Sequence, residues 1–141
     1  MITPENAKDL AHDLVRRAMA HGTSAADAVF ACDASTDVQI RLGALEDVQR
    51  SESASIGLRV FDGQRSASVS GSDLSDSGLA TLAERAFAMA RLAPEDAYAG
   101  LAPEAMLVQG SLPDLQLDDG GEVDPATLRA LAERCEAAAR A

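Results

Sequence analysis

Serine and glycine crowd one segment, Ser53–Ser75, which reads SASIGLRVFDGQRSASVSGSDLS. Such a stretch could supply a nucleophilic hydroxyl, or a glycine turn whose free N–H groups cradle phosphate at a helix start. Both chemistries need spacings that are absent here. A phosphate loop of the G-x-x-x-x-G-K-[ST] type needs a lysine, and Lys8 is the only lysine in the chain. A nucleophile elbow needs G-x-S-x-G, and no serine of the segment is flanked that way. Ser72, Asp73 and Ser75 could bind an anion, but a turn followed by a helix cap uses the same residue types, and that role is assigned to them.

The remaining candidates are sparse. His12 and His21 fall on nearly opposite faces of one predicted helix, so they cannot share a metal. No H-E-x-x-H or comparable pair occurs. The acidic pairs Glu46-Asp47, Glu95-Asp96 and Asp118-Asp119 read as solvated surface. Asp118-Asp119-Gly120-Gly121 reads as a turn, because the alternating ligands of a calcium loop are missing. Cys32 lies in the apolar run AVFACDA and is expected to be a small buried hydrophobe, while Cys135 sits on a predicted helix without a motif. Two distant cysteines do not form a disulfide framework. No catalytic, cofactor-binding or metal-binding residue is therefore assigned.

The bulk properties narrow the partners. The chain has 141 residues, 47% hydrophobic and 25% charged, with a net charge of −11 and a pI near 4.4. That length suits one domain with a core of its own. With aromatics at 3%, the core must be built from Ala, Leu, Val and Ile. The acidic balance repels phosphate backbones and anionic lipid surfaces, so direct nucleic-acid binding and membrane association are not expected. No apolar run approaches the ~20 residues of a membrane span, and the first residues lack a signal-peptide pattern. The expected location is the cytoplasm.

Several elements could hold these residues. Thr3 caps a helix running to about His21, with Pro4 in its first turn and Leu10, Leu14, Val15, Ala18 and Met19 as its apolar stripe. Two strands follow, residues 26–33 and 37–42, with ASTD as the turn pairing Cys32 with Val38 and Phe30 with Ile40. Residues 43–50 read as a connection. A second hairpin turns at Asp62-Gly63, pairing Val60 with Arg65, Leu58 with Ala67 and Ile56 with Val69 on an apolar face. Arg59, Phe61, Gly57 and the serines take the opposite face. Ser75 caps a second helix, Asp76–Leu92, with Leu74 and Leu79 as a hydrophobic staple. A Pro-, Gly- and acid-rich connector leads to a third helix starting at Asp124–Pro125.

The predicted fold class is α+β in two layers. A four-stranded antiparallel sheet of two hairpins carries helices on one face, in the order α-β-β-β-β-α, followed by the connector and a further helix. Residues 1–95 are expected to form this domain, 96–122 the connector, and 123–141 a helix that begins the next domain.

The run IGLRVFDGQRSASVSGSDLS followed by LAERAFAMARLAPEDAYAGLA resembles the PmbA/TldE branch of the TldD/PmbA family, whose members are also labelled modulators of DNA gyrase. The likeness covers the hairpin, the Ser-Asp-Leu-Ser cap, the helix and the exit loop. It implies an N-terminal domain of a longer, metallopeptidase-related subunit. It also implies a TldD-type partner subunit, a peptide or unfolded-protein substrate, and a zinc site of the H-E-x-x-x-H kind in the partner's C-terminal region. No catalytic residue carries over to this chain. The implied role is a scaffold or interaction domain without chemistry of its own. The alternatives are a stand-alone enzyme domain with a serine or carboxylate site, and a protein-binding adaptor module.

Overall fold

The computed structural model describes residues 2–111, 113–117, 121 and 123–141. Asp118, Asp119 and Gly120, expected as part of an acidic turn, lie outside the described residues. The elements run α1 (Pro4–Ala20), β1 (Ala25–Arg41), β2 (Ala44–Asp62), β3 (Arg65–Gly71), α2 (Asp76–Leu92), a 3-10 turn (Glu104–Met106) and α3 (Pro125–Ala139).

The sheet corrects the sequence expectation. It has three strands in the order β1-β2-β3, a meander in which β2 is shared by both turns, in place of four strands in two hairpins. Residues 26–33 and 37–42 are not separate strands: β1 runs unbroken through Ala34–Asp37, and the expected pairing of Cys32 with Val38 does not exist. The physical reason is that the period of two never breaks. Ala26, Ala28, Phe30, Cys32, Ala34, Thr36, Val38 and Ile40 hold one face in sequence, and ASTD contains neither Gly nor Pro. The chain reverses at Leu42–Gly43, both with positive φ (53° and 76°), the pattern of a type I′ hairpin turn. Leu42 is an unusual choice there, since a left-handed conformation costs a non-glycine residue about 1 kcal/mol. Most of the presumed connection 43–50 is the start of β2.

The second turn is right in place and shifted in register. Asp62 pairs with Arg65, Val60 with Ala67, Leu58 with Val69 and Ile56 with Gly71. The central turn residues are Gly63 and Gln64, and only Gly63 has positive φ (61°), as a type II′ turn requires. Every partner moves by two positions, so each side chain keeps its face.

The chain forms two compact units. The first comprises residues up to Cys32 together with Ser53–Leu107, and the second comprises Asp33–Glu52 with Val108–Ala141. In the first unit, Leu14 and Ala18 of α1, Ile56, Leu58 and Val60 of β2, and Leu79, Leu82, Ala83, Ala86 and Ala90 of α2 form the core. Ala26, Ala28 and Phe30 of β1 pack against it. Both helices therefore cover one face, as the alternation predicts. Core packing stops at Phe30, and Cys32 is exposed, contrary to its expected burial. Each helix is capped where the sequence places its cap. The Thr3 hydroxyl accepts from the Asn6 N–H (3.3 Å), Ser75 from Gly78 (3.1 Å) and Asp124 from Ala126 and Thr127 (2.9 and 3.0 Å).

A charged cluster ties α1 to the start of α2. The Arg17 guanidinium donates to both Asp13 (2.7 Å) and Asp76, and Arg16 donates to Asp13 as well. The Arg17 hydrogen bond, with smaller help from Arg16, holds the Asp13 carboxyl below its ordinary value despite the opposing effect of burial. A depressed carboxyl stabilises the fold above its unfolded-state pKa, and the stabilisation is lost as pH falls through the folded value. The Tm gap between the wild type and Asp13→Asn is expected to be present at pH 7 and to narrow below about pH 4. A gap that stays constant from pH 7 to pH 3 would contradict this assignment. In the second unit, the half-buried residues of α3 are Leu128, Ala132, Glu133 and Glu136, and the half-buried residues of β1 are Thr36, Val38 and Ile40.

Candidate functional site

With α1 and α2 on one face of the first unit, the other face of its sheet carries the residues left over from the core. The register sets Arg59 opposite Ser68 and Gly57 opposite Ser70. Small side chains at these positions leave a shallow cavity of about 450 Å³, bordered by Asp27, Val29, Gly57, Arg59, Ser68 and Ser70. Gly57 contributes by being small: a Cβ there would meet only ordinary contacts, 3.8 Å from the Val29 carbonyl and 3.9 Å from that of Val69.

One charged pair dominates this face. Arg59 donates through Nε to Asp27 Oδ1 (2.9 Å) and through Nη2 to Asp27 Oδ2 (2.7 Å), a bidentate link from β2 to β1. The hydrogen bond to Asp27 and the attraction to its charge raise the Arg59 pKa. The guanidinium also lies 5.2 Å from the centroid of Phe61. Phe61, expected on the free face, is only 3% exposed. Its carbonyl accepts from the Ser24 N–H (2.8 Å) and the Ser24 hydroxyl (2.9 Å), which fixes the start of β1 beside the end of β2.

The serine-rich run divides into two roles. Ser68 and Ser70 border the open face, and no histidine borders that cavity. Asp73 accepts from the Ser75 N–H (3.0 Å); the Ser75 hydroxyl, and after it this N–H, hold its carboxyl below the usual range, and Ser75 caps α2. These are the turn and cap assigned from the sequence. His21 is the C-cap of α1 and stacks on Phe87 at 5.7 Å, while His12 is exposed on the same helix. Cys135 is exposed. Among the described residues, no three His, Cys, Asp or Glu side chains converge on a metal-sized site. Among the described residues, no helix is long and apolar enough to cross a membrane.

Residues 26–90, from the start of β1 almost to the end of α2, match the family described as PmbA/TldA metallopeptidase domain 1. They are a first domain of the PmbA/TldD family. Two curated relatives agree with this match. The chain is 34% identical over 102 residues to Metalloprotease PmbA of Escherichia coli O157:H7, and 32% identical over the same length to a Metalloprotease PmbA homolog of Haemophilus influenzae. Each alignment covers 72% of this chain and 22% of the relative, so the chain spans about a fifth of the length of the curated relatives it matches. A solved Bacteroides thetaiotaomicron protein, described as a candidate modulator of DNA gyrase, superposes with a TM-score of 0.75 at 27% identity, covering 85% of this chain and 27% of its own. The Arg59–Asp27 pair, Gly57 and the hairpin serines all fall inside the matched PmbA/TldD segment. Sequence reading identified the Arg59 face but missed its pairing with Asp27, because residues 26–42 had been divided between two strands.

Proposed function

We propose that this chain is the first-domain scaffold of a PmbA/TldE-like subunit in a TldD–TldE-type zinc peptidase that acts on peptides or unfolded proteins. In this reading the domain performs no chemistry. It offers the sheet face around Gly57, Arg59, Ser68 and Ser70 to a TldD-type subunit, which holds the zinc. The observation that carries the proposal is the match of residues 26–90 to a metallopeptidase first domain. The cavity on the uncovered face supports the choice of surface.

Co-expression of this chain with a tagged TldD-type subunit, followed by affinity purification, tests the proposal. The two are expected to co-purify. Ser68→Arg, which plants a long side chain on the open face, is expected to reduce recovery by about fivefold to a hundredfold, the effect of a steric clash of about 1–3 kcal/mol. Its thermal transition should stay close to that of the wild type, because Ser68 is exposed. Absence of co-purification would overturn the proposed partner. Undiminished recovery with Ser68→Arg would overturn the proposed surface.

A further inference from the structure

At the tip of the β1–β2 hairpin, in the second unit, two successive backbone amides close on a side-chain charge from a residue more than ninety positions away in the sequence. The Leu42 N–H donates to Glu136 Oε1 and the Gly43 N–H to Glu136 Oε2, both at 2.7 Å. Each amide takes its own oxygen of one carboxylate, the two-pronged geometry that arginine achieves with its guanidinium. Two successive N–H groups that converge in this way form a concave anion receptor, and positive φ at both residues turns them outward. The type I′ turn accounts for the positive φ of both residues, and the Leu42 side chain is 75% exposed.

The carboxylate itself comes from a helix with little else to anchor it. None of the described residues of α3 is buried, and Leu131 is 52% exposed. Near its start, Leu128 borders a cavity with Ala34, Thr36 and Arg50. Leu128, Ala132 and Glu136 follow each other at helical spacing on the half-buried stripe, and Glu136 closes that stripe at the hairpin tip. The neighbouring Glu133 is engaged within the helix by Arg129 (2.8 Å) and is not a competitor for the tip.

We propose that Leu42–Gly43 is a carboxylate-binding site, that Glu136 is its ligand within the chain, and that α3 is thereby held by a displaceable latch. The tip falls inside the family-matched segment and Glu136 falls outside it. The receptor therefore belongs to the first domain, and the ligand is supplied by the chain that follows. Because the two donors need only a pair of anionic oxygens, a carboxylate in solution can take the place of Glu136 once that side chain is removed. The proposal does not depend on the assignment to a peptidase complex.

Amide-resolved NMR of the whole chain provides the test. In the wild type, the Leu42 and Gly43 amides are expected to be protected from solvent exchange and unmoved by sodium acetate. In Glu136→Gln and Glu136→Ala their protection is expected to fall roughly tenfold to a hundredfold, the factor carried by one hydrogen bond to a charged group. Acetate added to Glu136→Ala should then shift both amides saturably, beyond the effect of sodium chloride at equal ionic strength. Glu133→Gln should leave both amides as in the wild type. Unchanged protection in both Glu136 variants would overturn the latch. An acetate response no larger than that of chloride would overturn the receptor. Glu136→Gln preserves side-chain size, so a loss confined to Leu42 and Gly43, with the other hairpin amides intact, separates the latch from general unfolding.

Discussion

Leu58→Ala is expected to destabilise the first unit by about 2–5 kcal/mol, read as a lower denaturant midpoint with an unchanged slope. Leu58 is 1% exposed, at the centre of the β2 stripe that meets α1 and α2. The small side chains around it are the reason to expect the upper part of that range. Ala18, Ala83, Ala86 and Ala90 have no flexible ends with which to fill the void left by a lost isobutyl group. The helices can close the cavity only by moving as bodies, and the Arg17 bridge between α1 and the start of α2 resists such a shift. Val48→Ala, on β2 but 47% exposed, is the matched control and should cost less than about 1 kcal/mol. A cost below 1 kcal/mol for Leu58→Ala would mean that β2 does not face the helices as described.

Gly78→Ala is expected to destabilise the protein by about 1–3 kcal/mol, against the sign that helix propensity gives. Alanine is favoured over glycine inside a helix by about 1 kcal/mol, so position 78 in the first turn of α2 would ordinarily gain from the change. Here a Cβ would overlap the carbonyl oxygen of Asp73 and lie 2.5 Å from its Cγ and 2.7 Å from its Oδ1. Asp73 cannot simply withdraw, because its carboxylate accepts from the Ser75 N–H (3.0 Å) and so orients the cap whose hydroxyl accepts from Gly78 itself (3.1 Å). Relief of the clash therefore takes the cap with it, and a lost cap adds about 1 kcal/mol. Thermal melts of the wild type, Gly78→Ala and the double variant Asp73→Ala/Gly78→Ala decide the matter. The double variant should recover only part of the loss, because the overlapping oxygen belongs to the backbone. A stabilised Gly78→Ala would show that Asp73 does not crowd the start of α2.

Local chemistry made much of this fold legible before any coordinates. Thr3, Ser75 and Asp124 cap the three helices because short oxygen-bearing side chains satisfy first-turn N–H groups wherever they precede an apolar stripe. The faces of β2 and β3 followed from alternation alone, and they survived a register error of two residues. That error arose because Asp-Gly was given both central turn positions, whereas the structure gives them to Gly63 and Gln64. The strand count failed for a different reason. Ser35, Thr36 and Asp37 have the composition of a turn, but the unbroken alternation on either side outweighed it. The true reversal uses Leu42, a residue that no turn preference selects.

The candidate surface was legible in outline, since Gly57, Arg59 and the serines share a face by period. Its Arg59–Asp27 pair depends on β1 lying beside β2, which the split strand concealed. Glu136 at the hairpin tip was beyond sequence reading altogether. A glutamate near the end of a polar helix looks like any other surface charge until the distant amides it meets are known.

The long excursion of β1 and β2 also bears on how the chain reaches its folded state. The first unit is discontinuous in sequence, interrupted by residues 33–52. Had that interruption been a floppy loop, its closure entropy would have to be overcome before Phe30 and Ile56 could join a common nucleus. The interruption is instead the far end of a two-residue-turn hairpin, which can zip on a timescale of about 1–10 μs. Zipping from Leu42–Gly43 brings the two halves of the discontinuous core together, so that contacts remote in sequence form at close to the speed of local ones.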